Sequence, residues 1–357
     1  MSTPPLNKQT LEKTVKKLAR FTHLTLSEAC RKAGIARQTV DSQFSKAKTL
    51  GVDLPQFKSG AKISTEGYEI PDLPEDDDAD IEDIIADRKR DFEKKRQYEE
   101  AHKLIPVNIK LKGPIGILHF GDPHVDDNGT DIATLEHHMH LTKTVEGLFG
   151  GNVGDTTNNW VGRLARLYSA QNMGRARALK VAEWFIKNTN WLYMIGGNHD
   201  AWSGDDDPIK WIAKEAKSLY KPSEARLELR FPQGDPFRIN ARHDFAGDSQ
   251  WNPAHGLMKA FQLGVRDHLF IAGHKHVSAY AVMKDPDTGI TGHALRVSSY
   301  KMYDRYAKER GFRDQTLSPC AVTVIDPLKP DVHPDRCKVF WDADEGVDYL
   351  KFCRGKK

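Results

Sequence analysis

The sequence predicts an α/β domain that follows a small, basic, all-helical domain. In residues 106–357, short apolar runs that end in glycine-rich or polar turns alternate with stretches of helical periodicity, which is typical of an α/β fold. Residues 10–50 instead read as short helices. Charge divides the chain in the same way, with a net +6 in residues 1–70, −5 in residues 71–110 and about +2 in the remainder. We therefore expect a basic domain at 1–62, an acidic linker with a solvated helix at 63–105, and the α/β domain at 106–357.

The composition favours a globular protein without a membrane span. The chain has 357 residues, with 53 Lys and Arg against 50 Asp and Glu, and no apolar run approaches the roughly 18 residues of a membrane helix. The first residues contain no apolar stretch of the kind found in secretory signals, so we expect a cytoplasmic protein of a bacterium or of a phage-infected host. The four cysteines have no paired spacing, which argues against disulfides and against a zinc knuckle.

The clearest pattern in the basic domain is LSEACRKAGIARQTVDSQFSKAK, residues 26–48. Its apolar residues fall on one face of two helices, and Gly34 stands where these helices need a tight turn. The pattern resembles the helix-turn-helix units of phage and transposase proteins, although Ala36 replaces the usual Ser or Thr cap and Asp41 lies on the reading helix. The resemblance implies contact with DNA through the exposed residues Arg31, Lys32, Arg37, Gln38, Ser42, Gln43 and Lys46. The alternative is a helical bundle that binds protein.

The next segment, PDLPEDDDADIED at residues 71–83, has two prolines and a run of carboxylates. Such a segment cannot bury enough apolar surface to fold alone, so it predicts a linker. Residues 81–102 are rich in charge and have helical character, which predicts a solvated helix.

In the α/β domain, apolar runs predict the strands. These runs are VNIKLK, IGILHF, GLFGGN, WLYMIG, FRINAR and HLFIAG, followed by the more β-rich SAYAVMKD, TGHALRVSSY, CAVTVID and KVFWD. Helices are predicted at 131–144, 160–188, 208–219 and 253–263. Each polar motif lies just past the carboxyl end of a predicted strand, where open α/β sheets bind their ligands.

Five short motifs concentrate Asp, Asn and His. They are GDPH (Asp122, His124), GDTTN (Asp155, Asn158), GGNHD (Asn198, His199, Asp200), RHD (His243) and GHKH (His274, His276). These oxygen and nitrogen donors suit manganese, iron, zinc or nickel. These are more donors than one ion can use, and seven of them are about right for two ions that share a bridging carboxylate. Two metals about 3.5–4 Å apart can hold a bridging hydroxide and clamp a phosphoryl group for in-line attack.

The order D-x-H, GD-x-x-N, GNHD, a lone His after a strand, and GH-x-H resembles the calcineurin-like metallophosphoesterase superfamily over about residues 107–300. The resemblance implies two facing β-sheets flanked by helices, with the metals at the strand ends. By the same resemblance Asp122, His124 and His276 hold the first metal, Asp155 bridges, and Asn198, His243 and His274 hold the second. His199 would then stabilise the transition state or protonate the leaving oxygen. We expect two divalent ions, with Mn²⁺ favoured and Fe, Zn or Ni also suited.

One position departs from the family pattern. Many members carry a second Asp, paired with the catalytic histidine, where this chain has Asn158. A neutral amide would hold the imidazole but support its protonated form less than a carboxylate would. Asp200 could compensate, or His199 could act mainly as a hydrogen-bond donor.

Other histidines are expected to be structural. His137, His138 and His140 lie on a predicted helix away from the strand ends, and His119 is expected to point into the sheet. For His255 we expect support of a helix N-terminus, with contact to a substrate phosphate as the alternative.

Basic residues around the motifs favour nucleic acid as the substrate. They include Arg163 and Arg166 after the second motif, and the segment at residues 300–313 in which aromatic and basic residues, starting with Tyr300 and Lys301, interleave. An ordinary surface strand with buried tyrosines is the alternative for that segment. Our leading hypothesis is a DNA exonuclease resembling the nuclease subunit of SbcD-type repair enzymes and found in phage genomes.

Two other hypotheses remain open. One is a small-molecule phosphatase or cyclic-nucleotide phosphodiesterase whose N-terminus binds protein, and the other is a non-catalytic DNA-binding or virion protein with a vestigial site. No GxxxxGK[ST] motif is present, so any dependence on ATP would come from an ATPase partner. The sequence does not indicate an oligomeric state.

Overall fold

A computed structural model describes residues 7–58, 81–202, 204, 207–249, 251–303, 311 and 316–355. The chain divides into two compact units, residues 1–81 and 82–357. The acidic tract at 71–80 and most of the aromatic and basic segment at 304–313 lie outside the described residues.

Within residues 7–58 the first unit contains four helices around a small core. The helices are α1 (Lys8–Leu18), α2 (Leu26–Ala33), α3 (Arg37–Ser45) and α4 (Ala47–Leu50), with a 3₁₀ turn at Ala19–Phe21. The side chains of Thr25 and Glu28 form a capping box that starts α2, and Gly34 ends it with φ at 60°. The second helix of the pair, α3, begins at Arg37 and ends at Ser45, and its N-cap residue Ala36 makes no side-chain hydrogen bond. The buried core consists of Leu18, Ala29, Cys30, Ala33 and Val40.

The helix α5 (Ile81–His102) starts at the boundary between the units and has no buried residue among its 22. Ion pairs within the helix, such as those from Arg96 to Glu93 and Glu100, support it in water. This agrees with the predicted solvated helix. Within the described part of the chain, no helix has the length and apolar character needed to cross a membrane.

Two six-stranded sheets form the centre of the second unit. Their strands are β1 (Ile105–Asn108), β2 (Ile115–Phe120), β3 (Leu148–Asn152), β4 (Trp191–Ile195), β5 (Tyr220–Lys221), β6 (Glu224–Arg230), β7 (Phe237–Arg242), β8 (Leu269–Ala272), β9 (Ala279–Lys284), β10 (Thr291–Arg296), β11 (Cys320–Ile325) and β12 (Cys337–Phe340). One sheet has the order β1-β6-β7-β8-β10-β9 and the other β12-β11-β2-β3-β4-β5. Both mix parallel and antiparallel pairs: β2-β3-β4 and β7-β8 run parallel.

Helices cover the outer faces of both sheets. They are α6 (Ile132–Thr144), α7 (Arg175–Lys187), α9 (Pro208–Glu215), α10 (His255–Leu263) and α11 (Ala343–Gly355). The short helix α8 (Asn198–Ala201) follows β4, and 3₁₀ segments lie at Gly162–Ala170 and Pro334–Arg336. One core lies between the sheets and includes Ile117 and Leu269. A second joins β2 and β11 to α6, α7 and α11, and a third joins β8 and β10 to α10. The layers are therefore helix, sheet, sheet, helix, and the predicted fold class is confirmed.

Both faces of the strand β2 are apolar because each of them packs against a core. Ile115 and Ile117 enter the core between the sheets, while Leu118 and Phe120 enter the core under the helices. All six residues of the strand are buried. A strand covered on both sides reads as a continuous apolar run, because each face meets a core rather than water.

Some elements differ from the predictions. The predicted helix at 160–188 is broken between the 3₁₀ segment and α7, since Gln171 has an extended backbone. The side chain of Gln171 bonds to Asp126 and Trp160 there, which holds the chain out of the helix. The strands β5 and β6 and the helix α11 were not predicted.

Candidate metal centre

The five motifs meet at one edge of the two sheets. Asp122, Asp155 and Asn198 follow β2, β3 and β4 of one sheet, while His243 and His274 follow β7 and β8 of the other. Because the strands within each of these groups run parallel, their carboxyl ends open on the same side. The structure thus brings the predicted donors together.

The first donor group consists of Asp122, His124 and His276. Nε2 of His276 lies 3.2 Å from Oδ2 of Asp122 and 3.3 Å from Nε2 of His124. Ligand atoms of all three side chains lie within 4.8 Å of one another. Oδ1 of Asp122 and Nδ1 of His124 are buried and have no hydrogen-bond partner among the described residues.

The second donor group surrounds Nε2 of His243. That nitrogen lies 2.9 Å from Oδ1 of Asn198, 3.0 Å from Nδ1 of His274 and 3.3 Å from Oδ2 of Asp155. Nδ1 of His243 donates its proton to the carbonyl of Val153 at 2.8 Å, so Nε2 is the ring nitrogen that faces the other donors. Several lone pairs therefore meet at one point, which a cation would balance.

Asp155 connects the two groups. Its Oδ2 lies 3.3 Å from Nε2 of His243 and 4.0 Å from Nε2 of His124, and its Oδ1 accepts from the backbone N–H of His199 at 2.9 Å. Asp155, His124 and His199 also form a third set of donor atoms within 4.8 Å of one another. The carboxylate is thus placed where it can be shared.

The backbone of the loops is strained where the donors lie. Six non-glycine residues with positive φ occur among the described residues, and four are the predicted ligands His124, Asp155, His274 and His276. Such conformations cost of order 1–3 kcal/mol each and persist where the surrounding structure enforces them, commonly at functional sites. At Gly197 a Cβ atom would lie 2.0 Å from Oδ1 of Asp155, so only glycine fits beside that carboxylate.

The electrostatics of the groups suit metal binding. Burial and the neighbouring His199 and His276 hold the pKa of His124 well below its ordinary value, and burial with His243 lowers the pKa of His274. Both rings are therefore neutral at pH 7, the form that binds metal. Burial lowers the pKa of His243, but the carboxylates of Asp155 and Asp122 outweigh it and raise the pKa to about 10. The negative potential there is strong enough to hold a positive charge at this nitrogen.

The donor set therefore fits divalent ions. It offers imidazole nitrogens, carboxylate oxygens and an amide oxygen without a thiolate, which suits manganese, iron, zinc or nickel. The two unpartnered buried atoms and the converging lone pairs around His243 are the features that such ions would satisfy.

His199 lies beside these groups in a fixed orientation. Its Nδ1 donates to the backbone carbonyl of Asn158 at 2.5 Å, and its Nε2 lies 3.8 Å from Oδ2 of Asp155. The rings of Trp160 and Trp202 pack against it, with centroids 5.2 Å and 4.1 Å away. The other ring nitrogen, Nε2, therefore faces the donors.

The expected support of His199 by the Asn158 side chain is not what the structure shows. The Asn158 amide donates to Oδ2 of Asp127 at 2.8 Å and to Oε1 of Gln171 at 3.0 Å, and only its main-chain oxygen bonds the imidazole. Asp200 does not compensate, because its Oδ2 accepts from the backbone N–H of Gly197 at 2.8 Å. Burial and the charge of Asp155 raise the pKa of Asp200 well above its ordinary value.

Two predicted substrate contacts have different positions. Tyr300 is fully buried, bonds Nδ1 of His138 at 2.7 Å and packs on Phe120, so the prediction that it contacts substrate is wrong. Lys301 lies near the centre: its Nζ is 3.0 Å from Oδ2 of Asp127 and 5.3 Å from the centroid of the Trp160 ring.

The other residues predicted to contact substrate do not belong to the donor groups. Arg166 is exposed on the 3₁₀ segment, and the side chain of Arg163 lies outside the described residues. His255 is exposed and is the first residue of α10, next to Ala254, which occupies the N-cap position without a side-chain hydrogen bond.

The structural histidines are satisfied within the fold. His119 is buried and bonds the hydroxyls of Tyr193 and Thr323, both at 2.9 Å, as expected of a side chain that points into the sheet. His137 pairs with Asp344 at 3.0 Å on the surface of α6.

Sequence reasoning missed the residues that support the loops. Asp126 accepts from the backbone N–H of Asn158 at 2.7 Å and from the Gln171 amide at 2.9 Å. Arg296 is fully buried and donates to the carbonyls of Gly273 and Pro253 and to Asp244, which ties the loops of His274 and His243 together. A buried arginine in an apolar strand was the available signal for the second case.

Comparisons with known proteins give only distant likenesses. No protein-family model and no curated protein matches the chain. Among solved structures it is similar to Haemophilus influenzae NAD nucleotidase (NadN), at 11% identity and a TM-score of 0.34 over 64% of this chain and 49% of that one. It is also similar to Chaetomium thermophilum Vps29 (14%, 0.31, 63% of this chain and 92% of that one) and to Pseudomonas putida nuclease MPE (15%, 0.29, 68% and 89%).

The match thus spans about half of the nucleotidase. Because all three TM-scores are below 0.5, the fold is established by the two sheets and their layers rather than by these likenesses.

Proposed function

We propose that this protein is a two-metal phosphodiesterase of the calcineurin-like metallophosphoesterase superfamily and that it cleaves DNA. The observation that carries the proposal is the pair of donor groups at one sheet edge, joined through Asp155. Asp122, His124 and His276 would hold one ion, and His243, His274 and Asn198 the other. Two divalent ions, with Mn²⁺ favoured, would supply Lewis acidity toward a phosphoryl group and lower the pKa of water.

His199 and its neighbours would orient the substrate and supply a proton. The carbonyl of Asn158 fixes His199 so that Nε2 faces the donors, where it can hydrogen-bond a phosphate oxygen or give a proton to the leaving oxygen. Lys301 is buried beside Trp160 and its ammonium pairs with Asp127, so its charge is balanced within the protein and its role here is to hold the loop of Asp127 next to the centre.

The helices α2 and α3 are our proposed DNA contact. Their predicted contact residues Arg31, Lys32, Arg37, Gln38 and Lys46 are exposed, which phosphate and base contacts require. Arg37 also pairs with Asp41 at 2.9 Å and bonds Ser27. Gln43 is only partly exposed and its Oε1 is buried, so it is a weaker candidate.

The proposal is tested by assaying the full chain with Mn²⁺ on linear DNA and on bis-p-nitrophenyl phosphate. We expect both substrates to be cleaved, and we expect Asp155→Asn to lower both rates by a factor of at least about 10³, because the shared carboxylate is removed. Asp344→Asn, an exposed carboxylate on α11, is the matched control and should retain activity.

The outcomes separate the hypotheses. Hydrolysis of the small ester without any cleavage of DNA, whichever metal is supplied, would support the small-molecule phosphatase or cyclic-nucleotide phosphodiesterase instead. Full activity of Asp155→Asn would show that the metal assignment is wrong. If neither DNA nor bis-p-nitrophenyl phosphate is hydrolysed with Mn, Fe, Zn or Ni, the non-catalytic alternative is supported.

A further inference from the structure

An open pocket of about 330 Å³ lies next to the candidate metal centre. The residues that line it include Trp160, Tyr168, Met173 and Arg175, the first residue of α7. Its volume falls in the range of small-molecule sites, and aromatic walls with a few polar groups are typical of them. None of the seven proposed metal ligands lines it.

The pocket is connected to the proposed catalytic histidine through shared residues. The indole of Trp160, which lines the pocket, meets the ring of His199 edge-on with centroids 5.2 Å apart. Asn159, another lining residue, donates from its amide to the carbonyl of His199 at 2.7 Å. A group in the pocket would therefore be separated from a phosphate at His199 by about one side chain.

The Trp160 wall is held in place. Oε1 of Gln171 accepts from the indole Nε1 of Trp160 at 3.1 Å and from the amide of Asn158 at 3.0 Å. Nε2 of Gln171 donates to Asp126 at 2.9 Å and to the carbonyl of Met173 at 2.8 Å. All four hydrogen-bonding positions of the Gln171 amide are thus used within the protein. Gln171 therefore supports the Trp160 ring and has no donor or acceptor left to bond a ligand.

The rim of the pocket is positive. Arg175 is exposed and is the first residue of α7, and the N-cap residue Gly174 provides no side-chain hydrogen bond. The partial positive charge of a helix N-terminus adds to that of the guanidinium. Aromatic surface beside positive charge is the combination that binds single nucleotides of a strand without base specificity.

We propose that this pocket is a nucleobase subsite, in which the base next to the scissile phosphate stacks on Trp160 and Tyr168. The inference rests on the proposed phosphodiesterase function and names its substrate class: nucleotides, recognised by the π-face of the base and not by its hydrogen-bonding edge.

The test uses two esters with the same leaving group and the full chain with Mn²⁺. One is the p-nitrophenyl ester of thymidine 5′-phosphate, and the other is the same deoxyribose ester without a base. We expect the wild-type protein to prefer the nucleoside ester, measured as the ratio of the two kcat/KM values. Trp160→Ala should lower that ratio about tenfold, mainly through KM, because stacking stabilises binding of the base. Since both esters share His199 and the metals, general damage to the centre cancels in the ratio.

Tyr168→Ala removes the other ring without touching His199 and should lower the ratio in the same direction. Trp211→Ala, which removes an exposed indole on α9, is the matched control and should leave the ratio unchanged. If both pocket variants keep the wild-type ratio while the esters are cleaved, the subsite inference is overturned and the phosphodiesterase stands. If the wild-type protein cleaves neither ester with any divalent metal, the proposed function fails and the subsite with it.

Discussion

His199 is the residue whose chemistry depends most on its immediate surroundings. The carbonyl of Asn158 holds Nδ1, Asp155 accepts from its backbone N–H, and Trp202 covers the ring. None of these contacts requires a carboxylate three residues after Asp155. The sequence showed that Asn158 belongs to the motif. It could not show that the main-chain oxygen of Asn158 bonds His199, because every residue type has a main-chain oxygen.

Replacing His199 tests whether this residue acts on the substrate or binds a metal ion. We expect His199→Gln to lower kcat on bis-p-nitrophenyl phosphate by about 10²–10⁴, the usual contribution of a general acid. Metal content, measured by elemental analysis, should stay at the wild-type value because the other donors remain. His137→Gln, an exposed histidine on α6, is the control. Loss of an ion together with activity would instead make His199 a ligand, as its place in the third donor set allows.

At the scale of elements, patterns with a strong local cause were predictable from the sequence. The turn at Gly34, the helices on either side of it and the buried run of β2 follow from capping, positive φ and double-sided burial. The break after the 3₁₀ segment was not predictable, because it depends on bonds from Gln171 to Asp126, 45 positions earlier in the chain. The strand β6 was missed because charged residues alternate with its buried Ala225, Leu227 and Leu229.

The pair α2 and α3 carries the prediction for DNA binding. We expect the double variant Arg31→Gln and Lys32→Gln to weaken binding of the full chain to linear DNA. The slope of log affinity against log salt should become shallower by about 0.9 for each phosphate that the variant no longer neutralises, because fewer counterions are released. Fluorescence anisotropy over a salt series measures that slope. Lys210→Gln with Lys214→Gln on α9 removes the same charge elsewhere, and an equal change in both double variants would contradict a specific contact by α2.

At the scale of the whole molecule, the five motifs come together only because two sheets pack face to face. The order of the motifs along the chain indicated the metal site, and the carboxyl ends of β2, β3, β4, β7 and β8 supply its donors. The support between those loops could not be predicted in the same way. Arg296 reaches Gly273, Pro253 and Asp244 from a third strand. An arginine in an apolar strand is visible in the sequence, but the partners that it bonds across the fold are not.

The same packing buries histidines that stay neutral, and this makes the fold sensitive to acid. Burial lowers the pKa of His119 to about 3 and, as the largest cause, those of His138 and His293 to about 4. In the unfolded chain these groups take up protons below about pH 6.5, whereas in the folded chain they do so only near pH 3–4. The unfolded state therefore binds more protons between those values, and stability is lost as the pH falls through that window.

His138 offers a single-site test of that loss. Because His138 is buried in its neutral form, the free energy of unfolding of the wild-type protein should fall by roughly 2 kcal/mol as the pH falls from 7 to 5. His138→Gln cannot take up the proton, so its urea midpoint should fall less over this range, even if its stability at pH 7 is lower because the bond to Tyr300 changes. His137→Gln, one residue earlier and exposed, should follow the wild-type pH dependence. The same decline in all three proteins would mean that His138 is already protonated in the folded state, and that the bond from its Nδ1 to the Tyr300 hydroxyl does not keep the ring neutral.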